Sequence, residues 1–109
     1  MVAKDLISEV IPSLKTSDPG QTALNWMEIF KISHLPIVNN QEFLGLISDS
    51  DIYDINQPNE PIGNHPLTLY KPFVTTEQHI FEVIGLASRL KLSVVPVLDS
   101  KNNYIGVIT

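Results

Sequence analysis

The sequence predicts a mixed α/β fold of the α+β kind, built as two pseudo-symmetric copies of one small unit. Three observations predict it. The run Leu35-Pro36-Ile37-Val38, a polar turn and Phe43-Leu44-Gly45-Leu46-Ile47-Ser48 returns as Val95-Pro96-Val97-Leu98, a polar turn and Tyr104-Ile105-Gly106-Val107-Ile108-Thr109. A displacement of roughly 60 residues lays one run on the other, and with it Ile11-Pro12 on Lys71-Pro72, Thr16 on Thr76 and Ser33 on Ser93. Each run follows a stretch with apolar residues at helical spacing and is itself short and nearly all apolar, the mark of strands covered on both faces. Two copies in 109 residues direct attention to a cleft shared between them.

In the first copy, Asp18 can cap a helix whose first residue is Pro19, with Gln21 at the capping-box position. Ala23, Leu24, Met27, Ile29 and Phe30 form its apolar stripe, with Trp26 at the edge, and the helix should end before Pro36 because a residue preceding proline is pushed toward extended geometry. Strands then run over Leu35–Val38 and Phe43–Ile47, joined by a turn over Asn39–Glu42. Residues 58–66, with Pro58, Pro61, Gly63 and Pro66 and little apolar patterning, read as a linker between a first repeat over 1–57 and a second over 67–109. In the second copy Thr75 or Thr76 is the candidate cap, and Ile80, Val83, Ile84, Ala87 and Leu90 form the stripe. Strands Val94–Leu98 and Tyr104–Ile108 are joined by Asp99–Asn103, a turn one residue longer than the first.

Composition narrows the function. Units of this size bury too little surface to be secure alone, so the two must lean on each other. The longest apolar runs fall far below the roughly 18 residues of a membrane span, and the N-terminus lacks a basic-then-apolar signal pattern, so the expectation is a cytoplasmic protein with no membrane partner. The absence of cysteine excludes disulfides, thiolate zinc sites and cysteine nucleophiles. A net charge of −5, with seven Lys and Arg scattered along the chain, speaks against nucleic acid as a partner. His65 and His79 have no ligand at metal spacing, and the acidic cluster Asp49, Asp51 and Asp54 lacks the glycine and terminal glutamate of a calcium loop, so no metal is expected. No nucleophile, base and orienting group stand together in the pattern catalysis needs, so an enzyme is not expected.

The order apolar-Pro-apolar-Val, turn, apolar-Gly-apolar-apolar-Ser/Thr-x-x-Asp, preceded by a capped helix and repeated after a linker, resembles the tandem cystathionine-β-synthase (CBS) domain pair, or Bateman module. The motif is complete as Gly45-Leu46-Ile47-Ser48-Asp49-Ser50-Asp51, whereas in the second repeat it stops at Gly106-Val107-Ile108-Thr109, before the place of the aspartate. The resemblance implies a β-α-β-β-α unit, two of which pack through their sheets into a disc. It also implies clefts that bind an adenosine-containing ligand such as AMP, ATP or S-adenosylmethionine, with no cofactor required. The function implied is regulatory ligand sensing that controls an attached or partner domain; the alternative is a structural dimerisation module with no small ligand. The early stop carries two further expectations: the chain is a fragment of a longer protein lacking the last helix of the second repeat, and the surface left bare pairs two copies into a homodimer.

The resemblance assigns nucleotide-binding roles to seven residues. Ser48 and Asp51 stand three apart at a strand-to-helix corner, where a carboxylate can accept both hydroxyls of a ribose. The same pair reads equally as a capping box for the following helix, and the two readings are compatible. His34 falls where relatives carry a basic residue facing the ligand phosphate, and would bind better when protonated; an exposed corner histidine without a role is the plainer reading. Ile11-Pro12 with Leu14, and Lys71-Pro72 with Val74 in the second copy, occupy the short leading strands that line the adenine slot in relatives, although core packing explains them too; of these, Pro12 and Leu14 are the candidate site residues. Pro36, beside His34, and Thr109, the counterpart of Ser48, complete the set.

Overall fold

The computed structural model describes residues 1–65 and 69–109. Helix α1 spans Gly20–Phe30, strands β1 and β2 span His34–Asn39 and Glu42–Ser48, and helix α2 spans Asp49–Ile55. The second repeat supplies β3 (Val74–Thr75), α3 (Ile80–Leu90), β4 (Val95–Leu98) and β5 (Tyr104–Ile108). Short 3-10 turns stand at Ala3–Leu6 and Ile62–Asn64. No helix among the described residues is long and apolar enough to cross a membrane. The linker's last residue, Pro66, and the boundary at 66/67 lie outside the described residues.

The duplication read from the sequence is a duplication in space. In the antiparallel pair β1–β2, Pro36 faces Leu46 and Ile37 faces Gly45; in β4–β5, Pro96 faces Val107 and Val97 faces Gly106. Both pairs break register at the same step, after Ile37 and after Val97, which leaves Leu44 and Ile105 as the extra residue of matching bulges. Leu14 bridges Ile37 in parallel as Val74 pairs with Val97. The first hairpin turns on Asn40 and Gln41, both at positive φ (49° and 72°), the geometry whose twist suits a two-residue hairpin. In the longer second turn the Asp99 carboxylate accepts the amides of Lys101 (2.8 Å) and Asn103 (2.9 Å).

Helix α1 begins one residue later than the sequence predicts, and α3 three or four residues later. Pro19 is the N-cap of α1, and His79 is the N-cap of α3, its Nδ1 accepting the Phe81 amide at 3.1 Å. The residues expected as caps are otherwise engaged. The Asp18 carboxylate accepts the Lys15 amide at 2.8 Å, and at the equivalent place the Gln78 side chain accepts the Thr75 amide at 2.7 Å. A cap-forming residue closes the turn before the helix in each copy, and Thr75 belongs to β3. Both helices end on a lysine, Lys31 and Lys91, held in the left-handed conformation.

The two repeats exchange their leading segments. Residues 2–8 leave the first repeat and pack on the second: the Ala3 amide donates to the Gln78 carbonyl, the Lys4 amide to Thr76, and the Ser8 amide to Val107 (2.8, 3.0 and 2.8 Å). The linker and the start of the second repeat make the reciprocal crossing, with the Ile62 amide donating to Asp18, the Gly63 amide to Thr16, and the Leu46 amide to the Tyr70 carbonyl (all 2.8 Å). Each core is thus closed by a side chain from the other repeat's leading segment. Ile62 is buried with Leu14, Ala23, Met27, Leu35 and Ile47, and Ala3 with Val74, Val83, Val95 and Val97. A third cluster, Val38, Phe43 and Leu46 against Val94, Leu98 and Val107, forms the seam between repeats. The motif glycines mark where the crossing segments pass. At Gly45, with φ of 148°, a Cβ would lie 2.6 Å from Leu69 Cβ and 2.8 Å from the Tyr70 carbonyl oxygen; at Gly106 it would lie 2.6 Å from Ile7 Cγ2.

Ile62 lies in the segment that reads as a linker, yet its side chain is 2% exposed. Ile62→Ala should therefore cost about 2–5 kcal/mol of unfolding free energy, the range for an aliphatic core deletion, rather than the ~0.5 kcal/mol of a surface change. Urea unfolding of the two proteins measures the difference.

Candidate functional site

Three sequence-predicted residues meet at one mouth of the seam. His34 opens β1, and Ser48, which ends β2, is its cross-strand partner. The chain turns into α2 at once, with Ser48 as N-cap: its Oγ accepts the Asp51 amide at 3.1 Å while Asp51 Oδ2 accepts the Ser48 amide at 3.0 Å. The capping box is therefore formed. It uses one carboxylate oxygen, and Asp51 Oδ1 makes no hydrogen bond among the described residues. The local reading and the ligand reading of this pair thus occupy different atoms.

These residues line one wall of a cleft of about 380 Å³. The second repeat supplies the other wall, with Tyr70 and Pro72 ahead of β3 and Arg89, Leu90, Lys91 and Leu92 at the end of α3. The crossing of the leading segments brings Tyr70 and Pro72 here, because the Tyr70 carbonyl is bonded to the Leu46 amide. Tyr70 is 81% exposed, an aromatic ring standing at the rim. Leu46, Pro72 and Leu92 give the lining an apolar part, the first repeat contributes the Asp51 carboxylate, and the second contributes two cations. A ligand with a flat apolar part, hydroxyls and an anionic group matches that distribution. A shallower depression of about 530 Å³ between α1 and α2 has Glu28 and Asp49 but no basic residue in its lining, so it is the poorer place for an anion. Among the described residues no three His, Cys, Asp or Glu side chains converge as metal ligands.

His34 is not poised as a cation. Burial pushes its pKa below the ordinary 6.5, with Asp49 and Asp51 opposing that shift. Its Nδ1 lies 2.9 Å from Ser93 Oγ and 3.2 Å from Ser33 Oγ and faces the Ser93 amide at 3.4 Å, a contact that suits the neutral ring with its proton on Nε2. The positive side of the cleft comes from Arg89 and Lys91, which the sequence reading passed over. Their signal was present: Arg89-Leu90-Lys91 directly precedes the repeated strand, where the first repeat has Ile29-Phe30-Lys31.

The other sequence-predicted residues lie elsewhere. Leu14 and Pro36 are fully buried, Leu14 in the first core and Pro36 within β1. Pro12 is half-buried and is not in the lining of this cleft, whose proline is Pro72 from the opposite repeat. Thr109 is exposed beyond the end of β5 and does not reach this cleft.

The fold is that of a known class. A model of the CBS domain matches residues 3–56 and again 66–109, and the chain belongs to this family as a tandem CBS pair. An inosine-5'-monophosphate dehydrogenase of Methanocaldococcus jannaschii is 29% identical over 106 residues, which are 92% of this chain and 21% of that protein, so this chain spans about a fifth of its relative. A CBS domain pair/ACT domain protein of Thermotoga maritima superposes with a TM-score of 0.84 at 19% identity, over 100% of this chain and 89% of the other. CBSX2 in complex with AMP superposes with a TM-score of 0.78 at 20% identity, over 99% and 89% of the two chains. At these identities the structures share the fold.

The environment of His34 gives stability a pH dependence. A depressed folded pKa means that the unfolded chain binds the proton more readily, so the contribution is present above pH 6.5 and is lost as the pH falls from there toward the folded value. Unfolding free energy should therefore decline between about pH 7 and 5, and the decline should be shallower in His34→Asn, as denaturant titrations at each pH would measure.

Proposed function

We propose that this chain is a regulatory module that binds one adenosine-containing nucleotide in the cleft between its repeats. The observation that carries the reading is the pairing, across one cleft, of the Asp51 carboxylate from the first repeat with Arg89 and Lys91 from the second. In the proposed pose Asp51 Oδ1 and the Ser48 hydroxyl take the ribose hydroxyls, and the two cations take the phosphate. The base lies on Leu46, Pro72 and Leu92 beneath Tyr70. A structure of the same fold holding AMP supports the ligand class. Because each repeat supplies one wall, occupancy favours one arrangement of the repeats over another, and an attached or partner domain would read that change. The role is recognition and transmission, with no chemical step on the ligand.

Calorimetric and thermal-shift titration with AMP, ATP and S-adenosylmethionine tests this. A ligand at 100 times its dissociation constant should add about 2.7 kcal/mol to stability. Asp51→Asn, which keeps an acceptor for the Ser48 amide, should weaken AMP binding about tenfold or more by removing the charged ribose acceptor. Arg89→Ala should weaken AMP by a similar factor and adenosine much less, while Thr109→Ala should leave both unchanged. Equal losses for AMP and adenosine in Arg89→Ala would overturn the phosphate assignment.

A second reading, an interaction module acting as a homodimer, has its own observation. On α3 the apolar residues Phe81 and Ile84 are 76% and 55% exposed. Leu24, the counterpart of Ile84 on α1, is half-buried beside α2. Under this reading sedimentation equilibrium should show a dimer that Ile84→Lys dissociates, and no adenosyl compound at millimolar concentration should shift the melting temperature.

A further inference from the structure

Ser33 and Ser93, related by the repeat, face each other across the seam beside the cleft. The Ser33 amide donates to Ser93 Oγ at 3.1 Å, and the two hydroxyls are 3.5 Å apart. The ring of His34 reaches over this contact from the first repeat, with Nδ1 2.9 Å from Ser93 Oγ and facing the Ser93 amide at 3.4 Å. The equivalent place in the second repeat holds Val94, fully buried in the seam cluster, so this contact exists once and not twice.

We propose that His34 is a proton-operated latch that ties the two repeats together beside the cleft. A backbone N–H can only donate, so the bond from Ser93 requires a lone pair on Nδ1. A proton on that atom removes the lone pair and leaves the Ser93 amide without its acceptor, so that the tie is reduced to the bond that Nδ1 can donate to Ser93 Oγ at 2.9 Å. Charged groups line both walls around the ring. Asp49 and Asp51 on α2 favour the proton, and Arg89 and Lys91 at the end of α3 line the opposite wall of the same cleft, with Tyr70 at the rim. An anion held in the cleft by Arg89 and Lys91 adds negative charge to the space that His34 shares, so occupancy draws a proton onto His34 and loosens the latch. The latch itself needs no ligand; its operation by a nucleotide rests on the function proposed above.

Nitrogen-15 NMR of the ligand-free protein tests the latch directly. The expected result is a His34 ring protonated on Nε2 that titrates below 6.5, with the Ser93 amide resonance moving at the same midpoint. In His34→Asn the side-chain oxygen can accept the Ser93 amide without titrating, and that midpoint should vanish from Ser93. In His34→Val, the residue the second repeat carries at this place, the Ser93 amide should exchange with solvent about tenfold faster at neutral pH, the cost of one ordinary hydrogen bond. A ring protonated on Nδ1, or a Ser93 amide indifferent to the titration in a folded protein, overturns the latch. Adding AMP should raise the His34 midpoint, and saturation by AMP with no rise overturns the coupling to the cleft. If AMP does not bind at millimolar concentration, the coupling falls with the nucleotide reading, while the ligand-free titration still decides the latch.

Discussion

The exchange of leading segments is the constraint on which the rest of this structure depends. Each repeat on its own lacks one wall of its core: Ile62 closes the first and Ala3 the second, and both arrive from the opposite side of the sequence. Small units bury too little apolar surface to fold securely alone, and here the shortfall is met reciprocally. Other features follow from the same crossing. The motif glycines stand where a crossing segment passes against a strand and leaves no room for a side chain. The Tyr70 carbonyl fixes that passage, and through it Tyr70 and Pro72 come to face Ser48 and Asp51 from the first repeat.

The chemistry of the cleft rests on a division of labour among atoms. Asp51 spends one oxygen on the helix it caps and keeps the other free, so the local fold orients the carboxylate without consuming it. The ring of His34 is likewise held at one nitrogen, Nδ1, by the serines of the seam. The positive side is left to groups on the end of α3, where the partial negative charge of a helix C-terminus suits a cation. The cleft that pseudo-symmetry relates to this one would present Val94, Ile29 and Val10 in place of His34, Arg89 and Tyr70, and its Ile29 and Val10 are 67% and 69% exposed. The two halves kept a common frame and diverged in what they display.

Much of the frame was legible because it is written locally and twice. Proline and glycine at fixed offsets, short apolar runs and polar turns define both hairpins, and the structure pairs Pro36 with Leu46 as it pairs Pro96 with Val107. The helix starts differ from the expected ones for a local reason: Asp18 has the chemistry of a cap but accepts an amide three residues upstream, while Thr75 ends β3 and, with Thr76, enters the turn that Gln78 closes. The crossing was not legible, since a segment such as residues 58–66 shows its loop-forming prolines but not which core its single isoleucine enters. Pro12 with Leu14 and Pro72 with Val74 are equivalent in the sequence, which shows both leading strands but not which of them reaches the cleft of Ser48. The cleft takes Pro72, and with it the exposed Arg89 and Lys91, whose signal is their place ahead of the repeated strand rather than any helical period.

A chain in which each half completes its neighbour's core is, in geometric terms, a two-fold dimer whose subunits have been joined end to end. A dimer of identical single repeats must carry the same residue at both related places, so any change meant for one cleft falls on both. Joining the copies removes that restriction. A histidine can then stand opposite a valine and an arginine opposite an isoleucine, and one site can be altered while its twin preserves the scaffold. The exchanged segments ensure that the two inheritances cannot drift apart structurally, because neither half can change its leading segment without repacking the other.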